Sequence, residues 1–481
     1  MPRPCARPAY LRVITVLAAG VFGLAAAVSA APGRRDLGKL YAESCAGCHG
    51  AQLEGGSAPS LLASVSPTGG DDERLFAAIR SGIPAKGMPA FGATVSDQEI
   101  RGLVAYIRER AGRAAGRDSR PPRPSPDTVT QGKLHAYRVE TVVTGVREPW
   151  SVAFLPDGRV LLTEKQGNLR VVEKGALRDK PVTGLPRVDS GGQGGLFDIV
   201  PHPDFARNGW LYLAYAEQLR EDPNRGAVMT TVIRGRLKDN AWTDQQVIFR
   251  APAATFRHGG NHFGGRLAFD KNNVLFFSIG ERDAKEQAQD LTLPNGKIHR
   301  VRDDGSIPAD NPFLKTPGAL PSIWCYGIRN PQGLRFDPAT GALWEHEHGP
   351  KGGDELNLIQ RGLNYGWPLA TYGMDYNGTS LTAITTRADL APPVTYWIPS
   401  IAPCGLAIYT GDRFPKWKNH LFVASLAAQD LRRLEIKDGK VVDQEVIFTG
   451  LGRLRDVATG PDGLLYVLLP DRVARLVPAD K

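Results

Sequence analysis

Between residues 150 and 463 one short pattern recurs: an apolar run, a turn carrying Asp or Gly, and a second apolar run. The first runs end in the turns Pro156-Asp157-Gly158, Pro203-Asp204, Asp270, Asp337-Pro338, Gly411-Asp412 and Pro461-Asp462-Gly463. The second runs cover 160–162, 210–215, 274–279, 342–344, 421–424 and 464–468. A supersecondary unit repeated at this spacing cannot bury its apolar face alone and must stack on its neighbours. Six such units of four strands describe an all-β, six-bladed β-propeller. Only about three strands fit between Asp456 and the C-terminus, so the last blade is one short. Residues 137–143 alternate like a strand and are placed to close the ring. A β-sandwich would not explain six copies of one turn.

Equivalent positions in successive blades lie at the same end of the central channel. Just before the inner runs stand Gln193, then Asn261 and His262, then Arg329 and Asn330, then Arg453 and Arg455. These side chains are expected to converge on one concave site. Arginine forks match carboxylates in bidentate fashion, so the set describes a pocket for a planar polyanion beside a base. His262 lies among Gly259, Gly260, Gly264 and Gly265. Glycine allows close approach of backbone to a ligand. Taken alone this histidine is either a poised base or an ordinary loop residue; its place in the repeat favours the base.

A further loop, from Glu347 through His348, Gly349 and Pro350 to Asp354 and Glu355, combines glycines with carboxylates. Free carbonyls and acids suit a hard cation such as calcium, although acids in a solvated loop need none. His346 and His348 are two apart on an expected strand and lack the H-E-x-x-H pattern, so zinc is not expected.

The N-terminal third has a different character. Arg3, Arg7 and Arg12 precede an apolar run over 13–28 and the small residues Val28, Ser29 and Ala30. This is the pattern of a cleaved secretory signal, residues 1–30, which directs the chain to the periplasm. The run is short for a membrane span, and membrane association is not expected after cleavage. Cys45-Ala46-Gly47-Cys48-His49 is the C-x-x-C-H signature of c-type haem attachment. Cys45 and Cys48 would add to the haem, His49 would ligate the iron, and Met88, between Gly87 and Pro89, would be the sixth ligand. Ser96 to Glu99 forms a capping box, followed by Ile100, Leu103, Val104 and Ile107 at helical spacing. Residues 37–110 resemble a class I cytochrome c, a small all-α electron carrier. Residues 111–134 contain Pro121, Pro122, Pro124 and Pro126 and read as a semi-rigid tether. Such a tether raises the local haem concentration at its partner.

The formal net charge is +9. Losing the leader removes three arginines and no acids and leaves about +6. The basic residues are scattered, so no nucleic-acid partner is expected. Cys325 and Cys404 are either a disulfide, possible in an exported protein, or two buried thiols.

Residues 135–481 resemble the soluble quinoprotein glucose/sorbosone dehydrogenases, in particular their aldose sugar dehydrogenase branch. The resemblance is carried by Gln193-Gly194-Gly195-Leu196, His202-Pro203-Asp204-Phe205 and Asn261-His262-Phe263-Gly264-Gly265-Arg266. It continues through Tyr326-Gly327-Ile328-Arg329-Asn330-Pro331, His348-Gly349-Pro350, Asn364-Tyr365-Gly366-Trp367-Pro368 and Arg453-Leu454-Arg455-Asp456. It implies a propeller that binds pyrroloquinoline quinone (PQQ) and calcium and oxidises an aldose at C1 to its lactone. His262 is then the base; Gln193 and Asn261 help to hold sugar and cofactor. Arg329, Asn330, Arg453 and Arg455 hold the quinone. Carbonyls of Gly349 and Pro350 bind the calcium at the quinone, and Glu355 with the Tyr365 carbonyl forms a structural calcium site. Electrons would pass to haem c and on to a periplasmic acceptor. The chain departs from the family at Ala427, where members often carry a lysine, and at Cys325 and Cys404. A bridge between these two cysteines across the channel mouth is conceivable. The alternatives are a sorbosone-type aldehyde dehydrogenase and a non-catalytic propeller that docks the cytochrome to a partner.

Overall fold

The computed structural model describes residues 35–62, 72–118, 121, 123–125, 128–220 and 225–479. The leader expected over residues 1–30 lies outside them. Among the described residues no helix is long and apolar enough to cross a membrane.

The repeat pattern folds as a ring of six antiparallel sheets. Inner strands Pro149–Phe154, Leu196–Pro201, Gly264–Phe269, Pro331–Phe336, Pro403–Ile408 and Asp456–Thr459 open blades 1 to 6. Each inner strand packs on the next, and the sixth returns to the first. The chain closes the ring as the sequence suggests. Ala136–Thr144 pairs antiparallel with Arg472–Pro478 and supplies the fourth strand of blade 6. A short strand, Thr130–Gln131, adds a fifth. Joining first and last segments in one sheet leaves the ring without a free edge between its ends.

Five of the inner strands share a device that periodicity does not show. Their register slips near the start, between Pro149 and Ser151, Leu196 and Ile199, Gly264 and Leu267, Pro331 and Gly333, and Cys404 and Leu406. A bulge re-aims a side chain. Here the irregular stretches contain Trp150, Asp198, Arg266 and Gln332.

Arg266 is fully buried and reaches every other blade. Its Nε donates to the Gln332 carbonyl at 2.8 Å, and its Nη1 lies 3.1 Å from Asp456 and 3.8 Å from Asp198. Its Nη2 donates to the Arg455 carbonyl at 3.1 Å and to Cys404 Sγ at 3.7 Å. The guanidinium carbon sits 4.1 Å from the centre of the Trp150 ring. Burial alone would lower the pKa of this group; Asp456 and Asp198 outweigh burial and raise it.

The N-terminal part is helical: α1 (Leu37–Ser44), α2 (Ala46–His49), α3 (Asp72–Ser81) and α4 (Asp97–Asp118). Asp36 caps α1 by accepting from Lys39 N at 2.7 Å. Ser96 and Glu99 form the reciprocal box ahead of α4: Ser96 N donates to Glu99 Oε2 at 3.0 Å and Glu99 N to Ser96 Oγ at 3.3 Å. The alanine-rich stretch after Glu109 keeps α4 helical through Asp118, into the segment read as tether. Ala111 packs in the same apolar core as Leu37, Leu40, Ile100, Leu103 and Ile107.

That core also takes in Met374 of blade 4, so the helices are held by more than the linker. Leu37 N donates to Gly378 O at 2.8 Å, Gln98 Nε2 to Ser380 O at 3.2 Å, and Tyr396 Oη to Asp72 Oδ2 at 2.6 Å.

Replacing Arg266 with methionine leaves Asp198 and Asp456 buried without their cation. The expected loss is about 3–5 kcal/mol of unfolding free energy, read from the denaturant midpoint. A loss below about 1 kcal/mol would show that the acids do not depend on the guanidinium.

Candidate active site

His262 stands between the glycine loop and the inner strand of blade 3, with φ at +52°. A left-handed non-glycine residue is uncommon and costs on the order of 1–3 kcal/mol, so it persists only where its surroundings hold it. Here they do. His262 N donates to Gln193 Oε1 at 3.0 Å. Arg282, stacked 3.6 Å over Phe263, donates to the carbonyls of Gly259 (2.7 Å) and Asn261.

The imidazole Nδ1 lies 2.5 Å from Glu281 Oε1 and 3.5 Å from Asp283 Oδ1. Asn261 Nδ2 donates to Asp283 Oδ2 at 3.0 Å. Glu281 is buried, with its Oε2 unpartnered among the described residues. A carboxylate on Nδ1 fixes the proton there and leaves Nε2 as the basic nitrogen. Ligand atoms of His262, Glu281 and Asp283 all lie within 4.8 Å of one another, but the short contact to Glu281 already engages Nδ1. Sequence reading missed both acids. They follow Val274–Ile279, the strand paired with the one His262 opens, and the register Gly264 to Ile279 brings them back beside it.

Asn330 is the hub of the neighbouring blade. Its Nδ2 approaches Gln193 Oε1 and His348 Nδ1, each at 3.4 Å, and its Oδ1 accepts from Gly264 N at 3.3 Å. Arg329 Nη1 donates to the carbonyls of His348 (3.0 Å) and Gly349 (2.7 Å), and its buried Nε has no partner among the described residues. Arg455 Nη1 lies 3.5 Å from Cys404 Sγ. Burial, and next the charge of Arg455, lower the Arg453 pKa. Burial also lowers that of His348, helped by Arg329 and Arg455. Gln193, Asn330, His262 and His348 thus form one hydrogen-bonded group, with Arg329 and Arg455 acting on it. Among the described residues none of Arg329, Arg453 and Arg455 has a carboxylate at ion-pair distance. Three guanidinium groups without an ion-pair partner at one channel mouth fit a planar anion with several carboxylates.

The acids of blade 4 are buried and uncompensated in the opposite sense. Glu345 and Glu355 are pushed well above the usual carboxylate range by burial and by the charge of Glu347; burial pushes Glu347 itself up to about 7. Glu345 Oε1 and Asn357 Oδ1 are buried without partners among the described residues. One small cavity is lined by Gly349, Glu355, Tyr365, Arg329, Glu347 and Thr371, among others. This oxygen-rich donor set fits a hard cation. Pro350 is outside that lining. The Gly349 carbonyl accepts from Arg329 in this structure, so a cation there requires the guanidinium to move. His346 and His348 turn their Nε2 atoms to the carbonyls of Gly405 (3.0 Å) and Pro403 (2.8 Å).

In the helical part, Cys45 follows α1, and Cys48 and His49 lie on α2; both thiols are free. His49 Nδ1 lies 2.9 Å from the Pro59 carbonyl, which leaves Nε2 for a metal. Burial, and then Cys48, push the Cys45 thiol up to about 11, opposite to an activated redox dithiol. Met88, Leu61, Leu62, Leu75, Phe76 and Phe91 are each only partly buried and pack against the same helical core as Cys45. Half-exposed apolar side chains and free thiols on one small core fit a flat, covalently attached group.

Cys325 and Cys404 are both free and fully buried. Cys325 is on the outer strand of blade 3 and Cys404 on the inner strand of blade 5, so they do not bridge the mouth. Ala427 presents an exposed methyl group just past Leu421–Ser425.

Comparison with known proteins bears on both parts. The Glucose / Sorbosone dehydrogenase family matches residues 146–478, and the family described as Cytochrome C oxidase, cbb3-type, subunit III matches residues 33–107. The chain is 44% identical over 345 residues to Aldose sugar dehydrogenase YliI of Escherichia coli (strain K12), covering 70% of this chain and 91% of the relative. The apo-form crystal structure of the soluble aldose sugar dehydrogenase from Escherichia coli superposes with a TM-score of 0.68 at 43% identity, covering 71% of this chain and 99% of that one. The PQQ-bound aldose sugar dehydrogenase from Streptomyces coelicolor gives a TM-score of 0.57 at 27% identity, covering 71% and 98%.

A methyl group at Gly280 would come within 2.3 Å of the His262 carbonyl oxygen and 3.2 Å of Asn330 Oδ1. Gly280→Ala is therefore expected to displace His262, to cost about 1–3 kcal/mol of stability, and to lower turnover at the site beyond what that loss explains. Thermal unfolding and turnover measured on the same preparation check this; unchanged turnover would show that the placement of His262 is not critical.

Proposed function

The chain belongs to the glucose/sorbosone dehydrogenase family, and from that premise we propose that it oxidises an aldose at C1 to the lactone in the periplasm, with PQQ as cofactor, and delivers the electrons through its own haem c to an external acceptor. The observation that carries this reading is His262: Nδ1 is engaged by buried Glu281, and the site opens beside three arginines without carboxylate partners.

His262 Nε2 takes the proton of the C1 hydroxyl, and Glu281 stabilises the imidazolium that forms. Removing that proton makes C1 a better hydride donor. Gln193, Asn261 and Asn330 orient sugar and cofactor, while Arg329, Arg453 and Arg455 hold the cofactor's carboxylates. PQQ, when bound, accepts the hydride. The Gly349 and Pro350 carbonyls would hold a calcium ion once the Arg329 guanidinium leaves Gly349, and that ion would supply positive charge at the developing oxyanion; Glu355 and the Tyr365 carbonyl would hold a second, structural calcium. Cys45 and Cys48 would attach haem c and His49 and Met88 would ligate its iron, which would supply a one-electron acceptor. The leader over residues 1–30 supports the periplasmic location, where C-x-x-C-H haem attachment and the external acceptor belong.

A panel of aldoses and simple aldehydes, assayed by dye reduction with added PQQ and calcium, tests the reading. Aldoses are expected to be turned over in preference to aldehydes. His262→Ala is expected to abolish turnover, with a fall of at least about a hundredfold for loss of a general base, and to leave the haem spectrum unchanged. Retained turnover in that variant would remove His262 as the base; preference for aldehydes would replace the substrate class.

A further inference from the structure

Where the helices meet blade 4, that blade presents a pair of stacked rings, one of which is hydrogen-bonded to α3. Tyr372 and Tyr396 stack with ring centres 3.8 Å apart and planes at 15°. Each end of this pair leads to one of the two candidate cofactor sites. On the propeller side, Tyr372 follows Thr371, which lines the small cavity shared by Arg329, Gly349 and Glu355. Tyr396 is the register partner of Glu355 on the adjacent strand, and Glu355 in turn pairs with Glu347, whose carboxylate accepts from Arg329 N and Asn330 N. On the cytochrome side, Tyr396 Oη donates to Asp72 Oδ2 at 2.6 Å. Asp72 is the first residue of α3, is buried, and is ion-paired with buried Arg108 of α4. One turn along α3 stand Leu75 and Phe76, half-buried against the same core as Met88 and Cys45.

We propose that electrons cross from the propeller site to the haem through this contact, in the order Thr371, Tyr372, Tyr396, Asp72 and the first turn of α3, with the stacked tyrosines as the bridging medium. The inference rests on the proposed function, since it names the route for the transfer assigned there. Burial keeps both phenols above their ordinary pKa, so Tyr396 stays protonated and its donation to Asp72 persists. The tyrosines undergo no net change. Each passage moves one electron and reduces one ferric haem to ferrous. Two passages, with the haem reoxidised in between by an external one-electron acceptor, return the quinone to its oxidised form and release two protons to solvent. The buried Asp72–Arg108 pair ties the start of α3 to α4 and holds the carboxylate that Tyr396 meets, so these two are positioning residues.

The test uses full-length protein carrying haem and reconstituted with PQQ and calcium. Aldose is mixed anaerobically and the haem α-band is followed in the stopped flow. Two variants separate the elements of the route: Tyr372→Leu removes one ring, and Tyr396→Phe keeps the stack but removes the hydrogen bond to Asp72. Both are expected to lose the fast phase of haem reduction while dye-coupled sugar oxidation, which bypasses the haem, stays at the wild-type rate. In the PQQ-free variants, the haem midpoint potential and the protease resistance of residues 111–134 are expected to match wild type. A fast phase unaltered in both variants overturns the route and leaves the sugar dehydrogenase reading intact. Loss of the fast phase together with new protease sensitivity overturns it too, because undocking would then be the cause. Wild-type protein that turns over dye without reducing its haem overturns the intramolecular transfer itself.

Discussion

One guanidinium ties the propeller together. Arg266 extends from the inner strand of blade 3 and touches a carboxylate, carbonyl, thiol or ring from each of the other five blades. A charge taken this far from water is tolerable only when opposite charge and hydrogen bonds replace the solvent. Asp198 and Asp456 supply the charge; the Gln332 and Arg455 carbonyls supply the bonds. The same contacts set the site above. Arg266 binds the Arg455 carbonyl and the Cys404 sulfur that Arg455 also approaches, and its backbone is four residues beyond His262.

On that base, the mouth of the channel separates two kinds of electrostatics. Blades 3 and 6 present a histidine–carboxylate pair and arginines without carboxylate partners, suited to proton removal beside an anionic cofactor. Blade 4 presents buried acids that repel one another and invite a cation. Blade 4 also carries the loop and strand on which the helices dock. Within this one sheet Glu347 accepts from the Asn330 backbone at the site and pairs in register with Glu355, which pairs with Tyr396 at the docking face, so the proposed electron exit crosses adjacent strands of blade 4. The helical part is held at a fixed face of the ring by specific hydrogen bonds, and α4 continues well into the segment whose prolines suggest a tether.

The ring and its closing strand were legible because turn chemistry is local: Asp and Gly at each hairpin identify the unit, and six copies give the count. The equivalence of positions before each inner strand then pointed to Gln193, His262, Asn330 and the arginines. Features that depend on register or on distant contacts were not legible. Glu281 and Asp283 read as turn acids until pairing of the first two strands of blade 3 sets them against His262. Arg266 looks like any strand arginine because a bulge, not periodicity, aims it inward. Glu345 alternates with His346 as a surface strand would, yet both are fully buried. Cys325 and Cys404 share a chemistry that suggests a bridge, but they stand on different blades. The docking face depends on contacts between segments some 300 residues apart, such as Asp72 and Tyr396, and no local pattern encodes it.

The proposed transfer from sugar to haem within one chain is separated from transfer between chains by the dependence of haem reduction on protein concentration. Aldose would be added to PQQ- and calcium-loaded protein over a wide range of dilution, with oxygen excluded. Transfer within the chain gives a first-order rate of haem reduction that does not change with dilution. A rate that falls in proportion to protein concentration would place the transfer between molecules, and the absence of haem reduction would separate the two halves of the chain functionally.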